Sequence, residues 1–335
     1  MAGKITVSVA EAEGAVAAAI AAANTAPDVA RLVAEALVAA EVDGQAGHGF
    51  SRVASYCAQA RSGKVDGHAR IAVERVAPAF IKVDAGHGFA YPALDAAADA
   101  VVAAAAETGM AAAAVMRSHH CGQAGRHVER LARRGLVALM FANTPQAMAP
   151  WGGSKAVFGT NPIAFAAPRS GGEPVVVDLS LSKVARGKVM AAARKGEAIP
   201  EGWALDKDGQ PTTDAAAAMD GTMVAMGDAK GSALALVVEI LAAALTGACY
   251  SFEAASFFTA EGAPPGVGQL IIGFDVSRTA GSGFGDRLEV LVREIEGQDN
   301  ARLPGANRAA KRADAEQNGI SVDRELWSEI KSQTG

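Results

Sequence analysis

Short apolar segments follow one another through the middle of the chain across turns too brief to hold a crossover helix. Residues 71–83, flanking Pro78, and residues 111–116, 136–142, 156–158, 163–167, 174–177 and 267–275 have the length and apolar content of buried strands. Parallel neighbours need a crossover of a dozen or more residues, whereas antiparallel neighbours need only a turn. The spacing therefore predicts a mixed, mostly antiparallel sheet rather than a doubly wound parallel one.

Helical patterns dominate the two ends. Residues 7–40 read as two helices split at 24–28, the first opened by Ser8 with Glu11 three residues on, a capping-box pair. The second carries Val29, Leu32, Val33, Leu37 and Val38 as an apolar stripe. A short helix over 56–61 stops at Gly63, and further helices are predicted at 94–108, 125–134, 183–196, 231–245 and 288–296 and in the charged tail from Arg308. A chain of 335 residues exceeds what one core usually serves. The predicted division is a helical N-terminal part, 1–72, a mixed-sheet core, 73–285, and a C-terminal helical part, 286–335, packing with the N-terminal helices.

The net charge of -5 and pI near 5.7 argue against nucleic acid as the main partner. The Arg-rich stretches 126–134 and 302–312 are local exceptions that a solvated helix face accounts for. Cys57, Cys121 and Cys249 have no metal-ligand spacing and leave an odd thiol, which fits a reducing, cytoplasmic setting. The first ten residues do not read as a signal peptide. The longest apolar stretch, 233–245, contains Glu239 and is too short to span a bilayer, so a soluble protein without a membrane partner is expected.

A dinucleotide fingerprint, G-x-G-x-x-G, is absent. Gly281-Ser282-Gly283-Phe284-Gly285 is one residue short and comes too late, and reads as a flexible loop. His48 lies between Gly47 and Gly49, with Arg52 four residues on. Flanking glycines admit a ligand close to the backbone, an Arg can clamp a carboxylate, and a His can move a proton; a surface turn with a stray His is the competing reading. His119 and His120 follow the strand at 111–116, a common ligand position. No Asp, Glu or Cys stands at a helical offset to complete a metal site there. His68, His87 and His127 read as ordinary loop or helix residues. Residues 145–168 are dense in turn chemistry, which often supports a site. Lys230 and the amides around it make a phosphate seat at a helix start, although Asp228 sits badly for a bare anion.

Taken together, these segments resemble the type-2 malate/L-lactate dehydrogenase family over nearly the whole chain. The matching pieces are His48-Gly49-x-x-Arg52 with Tyr56, Ser118-His119-His120-Cys121-Gly122-Gln123-Ala124-Gly125, Pro150-Trp151-Gly152-Gly153 and Phe158-Gly159-Thr160-Asn161-Pro162. They continue with Val177-Asp178-Leu179-Ser180, Ala185-Arg186-Gly187-Lys188, Ile199-Pro200-Glu201-Gly202-Trp203-Ala204 with Asp206, Ala229-Lys230-Gly231-Ser232 and Arg302-Leu303-Pro304-Gly305. The resemblance implies an α/β enzyme with an unusual, non-Rossmann nicotinamide-binding domain on a mostly antiparallel sheet. It also implies a homodimer, while the helical domain drawn from both termini follows from the helical patterns at the two ends. His48 would be the proton donor, Arg52 would hold the substrate carboxylate, and His120 would act in acid/base chemistry or touch the cofactor. Thr160, Arg186 and Gly187 match substrate positions. Cofactor positions are matched by His120, Cys121, Gly122, Gln123, Ala124, Asp178, Leu179, Ser180, Ala229, Lys230, Gly305, Ala306, Asn307 and Arg308.

Two departures stand out. Many relatives carry Ser directly before the catalytic His, where this chain has Gly47, and many carry a larger residue where it has Ala229. The resemblance leaves open two substrate classes, a small 2-hydroxy acid of the malate, lactate or sulfolactate type and a cyclic imino acid such as Δ1-piperideine- or Δ1-pyrroline-2-carboxylate. Lys183, Arg186 and Lys188 add positive charge that suits a dianion and favours the hydroxy acid, whereas 231–247 looks closer to the imine reductases. A catalytically silent binding protein is the reading outside the enzyme class. NAD and NADP both remain open; Arg308, with Arg302 nearby, favours NADP.

Overall fold

The computed structural model describes residues 3–334. The chain opens with β1 (Lys4–Val7), α1 (Val9–Ala21), α2 (Pro27–Val42), α3 (Val53–Ser62), β2 (Ala72–Ala77), β3 (Phe80–Asp84), α4 (Ala90–Thr108) and β4 (Met110–Ser118). It continues through α5 (Ala124–Ala132), β5 (Leu136–Ala142), β6 (Ile163–Ala167), β7 (Val175–Leu179), α6 (Arg186–Lys195), β8 (Ala204–Leu205), β9 (Pro211–Thr212), α7 (Ala215–Asp220) and β10 (Thr222–Met223). The last elements are α8 (Ala229–Glu239), β11 (Val267–Asp275), α9 (Gly283–Glu296), α10 (Asn307–Asn318), β12 (Ile320–Asp323) and α11 (Arg324–Ser332).

Seven strands form the central sheet in the order β2-β3-β4-β11-β5-β6-β7. Every neighbouring pair is antiparallel except β3 with β4, and α4 supplies the long crossover that this parallel pair requires. The mostly antiparallel sheet read from the sequence is thus present. Helices α4 and α5 cover one face, where Leu94, Val101, Val128 and Leu131 bury against Ala113, Val115, Ala138 and Ile271. Small residues let them come close: a Cβ on Gly273 would lie 2.8 Å from Val101 Cγ1 and 2.9 Å from Leu136 Cδ1.

A second core joins the start of the chain to its end. Val16, Ile20, Leu37, Phe50 and Tyr56 bury with Ile320, Val322, Trp327 and Ile330. Strands β1 and β12 pair antiparallel, Lys4 opposite Asp323 and Val7 opposite Ile320. Both are four-residue strands with polar alternation, too short to stand out in the sequence. A third core packs α6, α7 and α8 with the small sheet β10-β8-β9 around Met148, Leu181, Val189 and Val238.

Three segments depart from expectation. Residues 156–158 form no strand; Phe158 makes only an isolated bridge to Met148, because Pro150, Gly152 and Gly153 bend the preceding chain into a turn. Gly283 and Gly285 open α9 instead of lying in a loop. The helix expected at 231–245 is α8 followed by a π turn, Ile240–Ala244. The widened turn presses on β11, where a Cβ on Gly268 would lie 2.0 Å from the Ala242 carbonyl oxygen. Among the described residues no helix is long and apolar enough to cross a membrane.

Candidate active site

His48 ends one 3-10 turn, Ala46–His48, and Arg52 ends the next, Phe50–Arg52, which leads into α3. Gly49 joins the two turns at a place with no room for a side chain: a Cβ there would lie 2.2 Å from Glu41 Oε2, which accepts the Phe50 amide at 3.0 Å. His119 and His120 come just after β4. These two stretches, distant in sequence, meet. His48 Nδ1 is 3.2 Å from His120 Nε2, with the rings 17° apart. The Tyr56 hydroxyl is 2.6 Å from His120 Nδ1 and 3.2 Å from the Tyr91 hydroxyl.

Burial dominates the electrostatics of this group. It pulls His48 down to about 4, helped by the positive charge of Arg52, and pulls His119 down to about 3 with Lys64 and Arg52 adding to the effect. His120 is held well below the usual imidazole range by burial and then by Arg52. Burial pushes Tyr56 up to about 12 although Arg52 opposes it, so its phenol stays protonated.

The chain of four rings can be hydrogen-bonded in two senses, but only one lets His48 exchange a proton at Nε2. In that sense His48 Nδ1–H donates to His120 Nε2, His120 Nδ1–H donates to the Tyr56 oxygen, and Tyr56 donates to Tyr91. The opposite sense leaves His48 with an Nε2–H that it cannot give up without becoming an imidazolate.

Arg52 lies beside this chain. Its Nε donates to the Gly47 carbonyl at 2.7 Å, and the Phe258 ring covers its guanidinium at 4.6 Å. Its Nη1 is buried and, among the described residues, has no partner. Phe257 stands 5.1 Å from the His120 ring and 5.2 Å from that of His119. Gln59 ties the wall together, bonding His119 Nε2 at 2.9 Å and the Phe257 carbonyl at 2.8 Å.

A second assembly adjoins the first. Cys121, Gly122, Gln123 and Ala124 lead into α5, whose first free amide, that of Gly125, donates to Asp178 Oδ2 at 2.8 Å. A Cβ on Gly125 would lie 3.0 Å from Asp178 and 3.1 Å from Arg308 Nη1, so the end of β7 and the start of α10 converge here. Burial raises the Asp178 carboxyl, opposed by the Gly125 amide and Arg308. Gly305 packs beside Val176, Ala306 precedes α10 and Asn307 begins it; Leu179 pairs with Ile163 across the sheet, and Ser180 bonds Ser182. Arg308 Nη1 and Gln123 Oε1 are buried without a partner. Asp43 lies beneath, accepting from Gln123 at 2.8 Å and from Arg312 at 2.8 and 2.7 Å.

The remaining candidates stand apart within one chain. Thr160 meets Thr144, with hydroxyls 3.3 Å apart. Arg186 opens α6 and donates to the Gln146 carbonyl at 3.2 Å; burial lowers its pKa and no carboxylate answers it. Gly187 is open to solvent, and Ala229 and Lys230 are exposed at the start of α8. Among the described residues, none of these five is bonded to His48, Arg52 or His120. Residues that sequence reasoning passed over include Gln59, Tyr91, Phe257 and Phe258, which carry no local motif. His127 is no ordinary helical residue: it is buried, bonds the Cys121 carbonyl at 2.9 Å and is pulled down to about 4 by burial. Among the described residues no cluster of three His, Cys, Asp or Glu side chains is arranged to hold a metal ion.

Residues 7–331 match the family model of malate/L-lactate dehydrogenase. Over 285 residues, 84% of each chain, the sequence is 52% identical to the (2R)-3-sulfolactate dehydrogenase (NADP(+)) of Chromohalobacter salexigens. It is 42% identical over 300 residues to the Delta(1)-pyrroline-2-carboxylate/Delta(1)-piperideine-2-carboxylate reductase of Pseudomonas syringae pv. tomato, covering 89% of this chain and 88% of that one. The crystal structure of delta1-piperideine-2-carboxylate reductase from Pseudomonas syringae pv. tomato superposes with a TM-score of 0.93 at 40% identity, covering 98% of this chain and 99% of that chain. Sulfolactate dehydrogenase from Methanocaldococcus jannaschii superposes with a TM-score of 0.90 at 26% identity, covering 98% and 96%.

Proposed function

The chain belongs to the malate/L-lactate dehydrogenase family, and from that premise we propose that it interconverts a small 2-hydroxy acid of the malate, lactate or sulfolactate type and its 2-oxo acid. It is a nicotinamide-dependent oxidoreductase. The observation that carries the substrate reading is the His48–His120 pair, 3.2 Å apart, beside an arginine whose Nη1 is buried and unpartnered. A buried guanidinium edge without a partner calls for an anion, and a carboxylate is the shape that meets it with two bonds.

The site residues fit a dinucleotide. Arg308 Nη1 and Gln123 Oε1 are orphaned polar atoms, and glycine stands at 125 and 305, where a Cβ would crowd Asp178, Arg308 and Val176. Cys121, Gly122, Gln123, Ala124, Asp178, Leu179, Ser180, Gly305, Ala306, Asn307 and Arg308 would hold it, with Ala229 and Lys230 from the start of α8. When bound, the nicotinamide supplies the hydride. NADP is the preferred form, because Arg308, whose Nη1 has no partner among the described residues, suits the extra phosphate and the relative from Chromohalobacter salexigens is named for NADP(+).

Arg52 would bind the substrate carboxylate and so fix the reacting carbon. His48 would give its Nε2 proton to the carbonyl oxygen during reduction and take it back during oxidation, with His120 accepting from Nδ1 throughout. Thr160, Arg186 and Gly187 would complete the substrate side, Arg186 meeting a second anionic group. Residues 73–285 would form a non-Rossmann nicotinamide-binding domain, with 1–72 and 286–335 as its helical companion. We also read the chain as a cytoplasmic homodimer. Leu236, Val237, Ile240 and Leu245 expose a run of apolar side chains along α8 and the turn after it, and Cys57, Cys121 and Cys249 form no disulfide.

The second reading is reduction of a cyclic imino acid, and the 42% identity to the Pseudomonas syringae pv. tomato reductase named for two such substrates favours it. Oxidation of NADPH and NADH with pyruvate, oxaloacetate, sulfopyruvate and Δ1-piperideine-2-carboxylate separates the two. Turnover of an oxo acid supports the first, turnover of the imine alone replaces it with the second, and no turnover with cofactor still bound points to an acceptor outside the panel or to a lost activity. In an active enzyme His48→Ala is expected to lose about 100-fold or more in kcat while cofactor affinity stays unchanged; normal turnover would remove His48 from its role.

A further inference from the structure

Residues 256–261 belong to neither a helix nor a strand, yet five of their six carbonyl oxygens are held from α3 and from Lys64, two residues beyond it. Lys64 Nζ donates to the carbonyls of Ser256 at 2.7 Å and of Thr259 and Glu261 at 2.9 Å each. Gln59 donates to that of Phe257 at 2.8 Å and Ser62 to that of Ala260 at 2.9 Å. Lys64 is only 2% exposed, and among the described residues it forms no ion pair. A buried ammonium is costly unless its donors are satisfied, and three main-chain carbonyls satisfy all three.

What this clamp holds is the side of the candidate site. Phe257 is buried against His119 and His120, while Phe258 is 45% exposed and lies on the Arg52 guanidinium. With Nε of Arg52 engaged by Gly47 and one face covered by Phe258, Nη1 is buried and, among the described residues, left without a partner. A carboxylate meeting that nitrogen would sit beside the Phe258 ring that lies on the same guanidinium.

We infer that residues 256–261 form a preset wall of the substrate pocket, that Phe258 limits the size of the group next to the carboxylate, and that Lys64 is the positioning residue that latches the wall. The inference rests on the reading that Arg52 holds the substrate carboxylate. No ladder of its own fixes this segment, so its position depends on the side chains that grip it. Replacing the ammonium of Lys64 by the methyl of Met leaves three carbonyls without a donor and frees the wall.

The test compares pyruvate with the bulkier Δ1-piperideine-2-carboxylate in wild type, Phe258→Ala and Lys64→Met. Phe258→Ala is expected to shift the ratio of kcat/KM about tenfold toward the cyclic substrate. Lys64→Met is expected to shift it in the same direction and to open chymotrypsin cleavage after Phe257 and Phe258 in otherwise folded protein. A ratio unchanged in Phe258→Ala overturns the wall. A shift in Phe258→Ala with neither a shift nor new cleavage in Lys64→Met overturns the latch. If Lys64→Met does not fold, Ser62→Ala, a milder cut to the same clamp, takes its place with the same two readouts. Should wild type turn over neither these acceptors nor oxaloacetate and sulfopyruvate, the proposed reaction has failed instead, and cleavage still decides for or against the latch.

Discussion

Burial sets the working protonation of His48. With its pKa lowered to about 4, the imidazole is neutral at pH 7, which suits acceptance of a hydroxyl proton and makes the donating form scarce. The direction follows: above about pH 4 the protonated share falls about tenfold per unit, so the reductive kcat/KM should fall as pH rises and the oxidative one should not. A substrate carboxylate on Arg52 offsets the charge that helps depress His48, and moves this window upward in the complex. A pH profile measured in both directions checks this, and a reductive rate that climbs with pH would refute it. Tyr56 acts through His120. A phenylalanine there cannot accept the His120 Nδ1–H, and His120 then turns its remaining proton against His48 Nδ1. Tyr56→Phe should lower kcat about tenfold, leave the KM for the carboxylate substrate near wild type, and move the His48 inflection to lower pH.

Helix α10 is tied into the protein by charge more than by apolar contact. Arg312 bonds Asp43 at the end of α2 and, at 2.6 and 2.9 Å, Glu129 on α5, and these two carboxylates hold its guanidinium above its ordinary pKa. The Asp43 side chain is fully buried. Removing Arg312 leaves it with Gln123 and the more distant Arg308, so Arg312→Met should lose about 3 kcal/mol in chemical denaturation. A loss below about 1 kcal/mol would place the staple among surface pairs. None of this could be read along the chain, where Arg302 and Arg312 stood only as a basic stretch. What was legible had local causes. Ser8 does cap α1 through the Glu11 amide, Gly63 does close α3 at φ 77°, and β5 and β11 keep the bounds that their apolar runs set. The candidate residues were named from motifs, but their pairing depended on β4 delivering His120 to the turn before α3. Of the partners that tune them, Gln59 lies on the same helix as Tyr56 but in no motif, whereas Tyr91 and Phe258 come from distant segments that no spacing rule reaches.

At the scale of the whole molecule, histidines kept neutral by burial make folding sensitive to acid. His119 and His127 titrate near 3 and 4 in the folded chain but near the ordinary 6.5 when unfolded. The unfolded chain therefore binds more protons between those values. Stability is full above about pH 6.5 and falls as pH drops toward 4, by about 3 kcal/mol for each histidine at the limit. Denaturation midpoints from pH 7 to pH 4.5 measure this, and the slope should flatten in His127→Gln. Unchanged midpoints across that range would show that the histidines are protonated without penalty. The pairing of β1 with β12 bears on a different matter, the order in which the protein is made. A ribosome releases α1, α2 and α3 first, but the residues that close their core, Ile320, Val322, Trp327 and Ile330, come last. The earliest helices can pack on one another, but the side that these four residues cover stays open until the entire sheet has been made, so a stall near the end leaves the first layer unfinished.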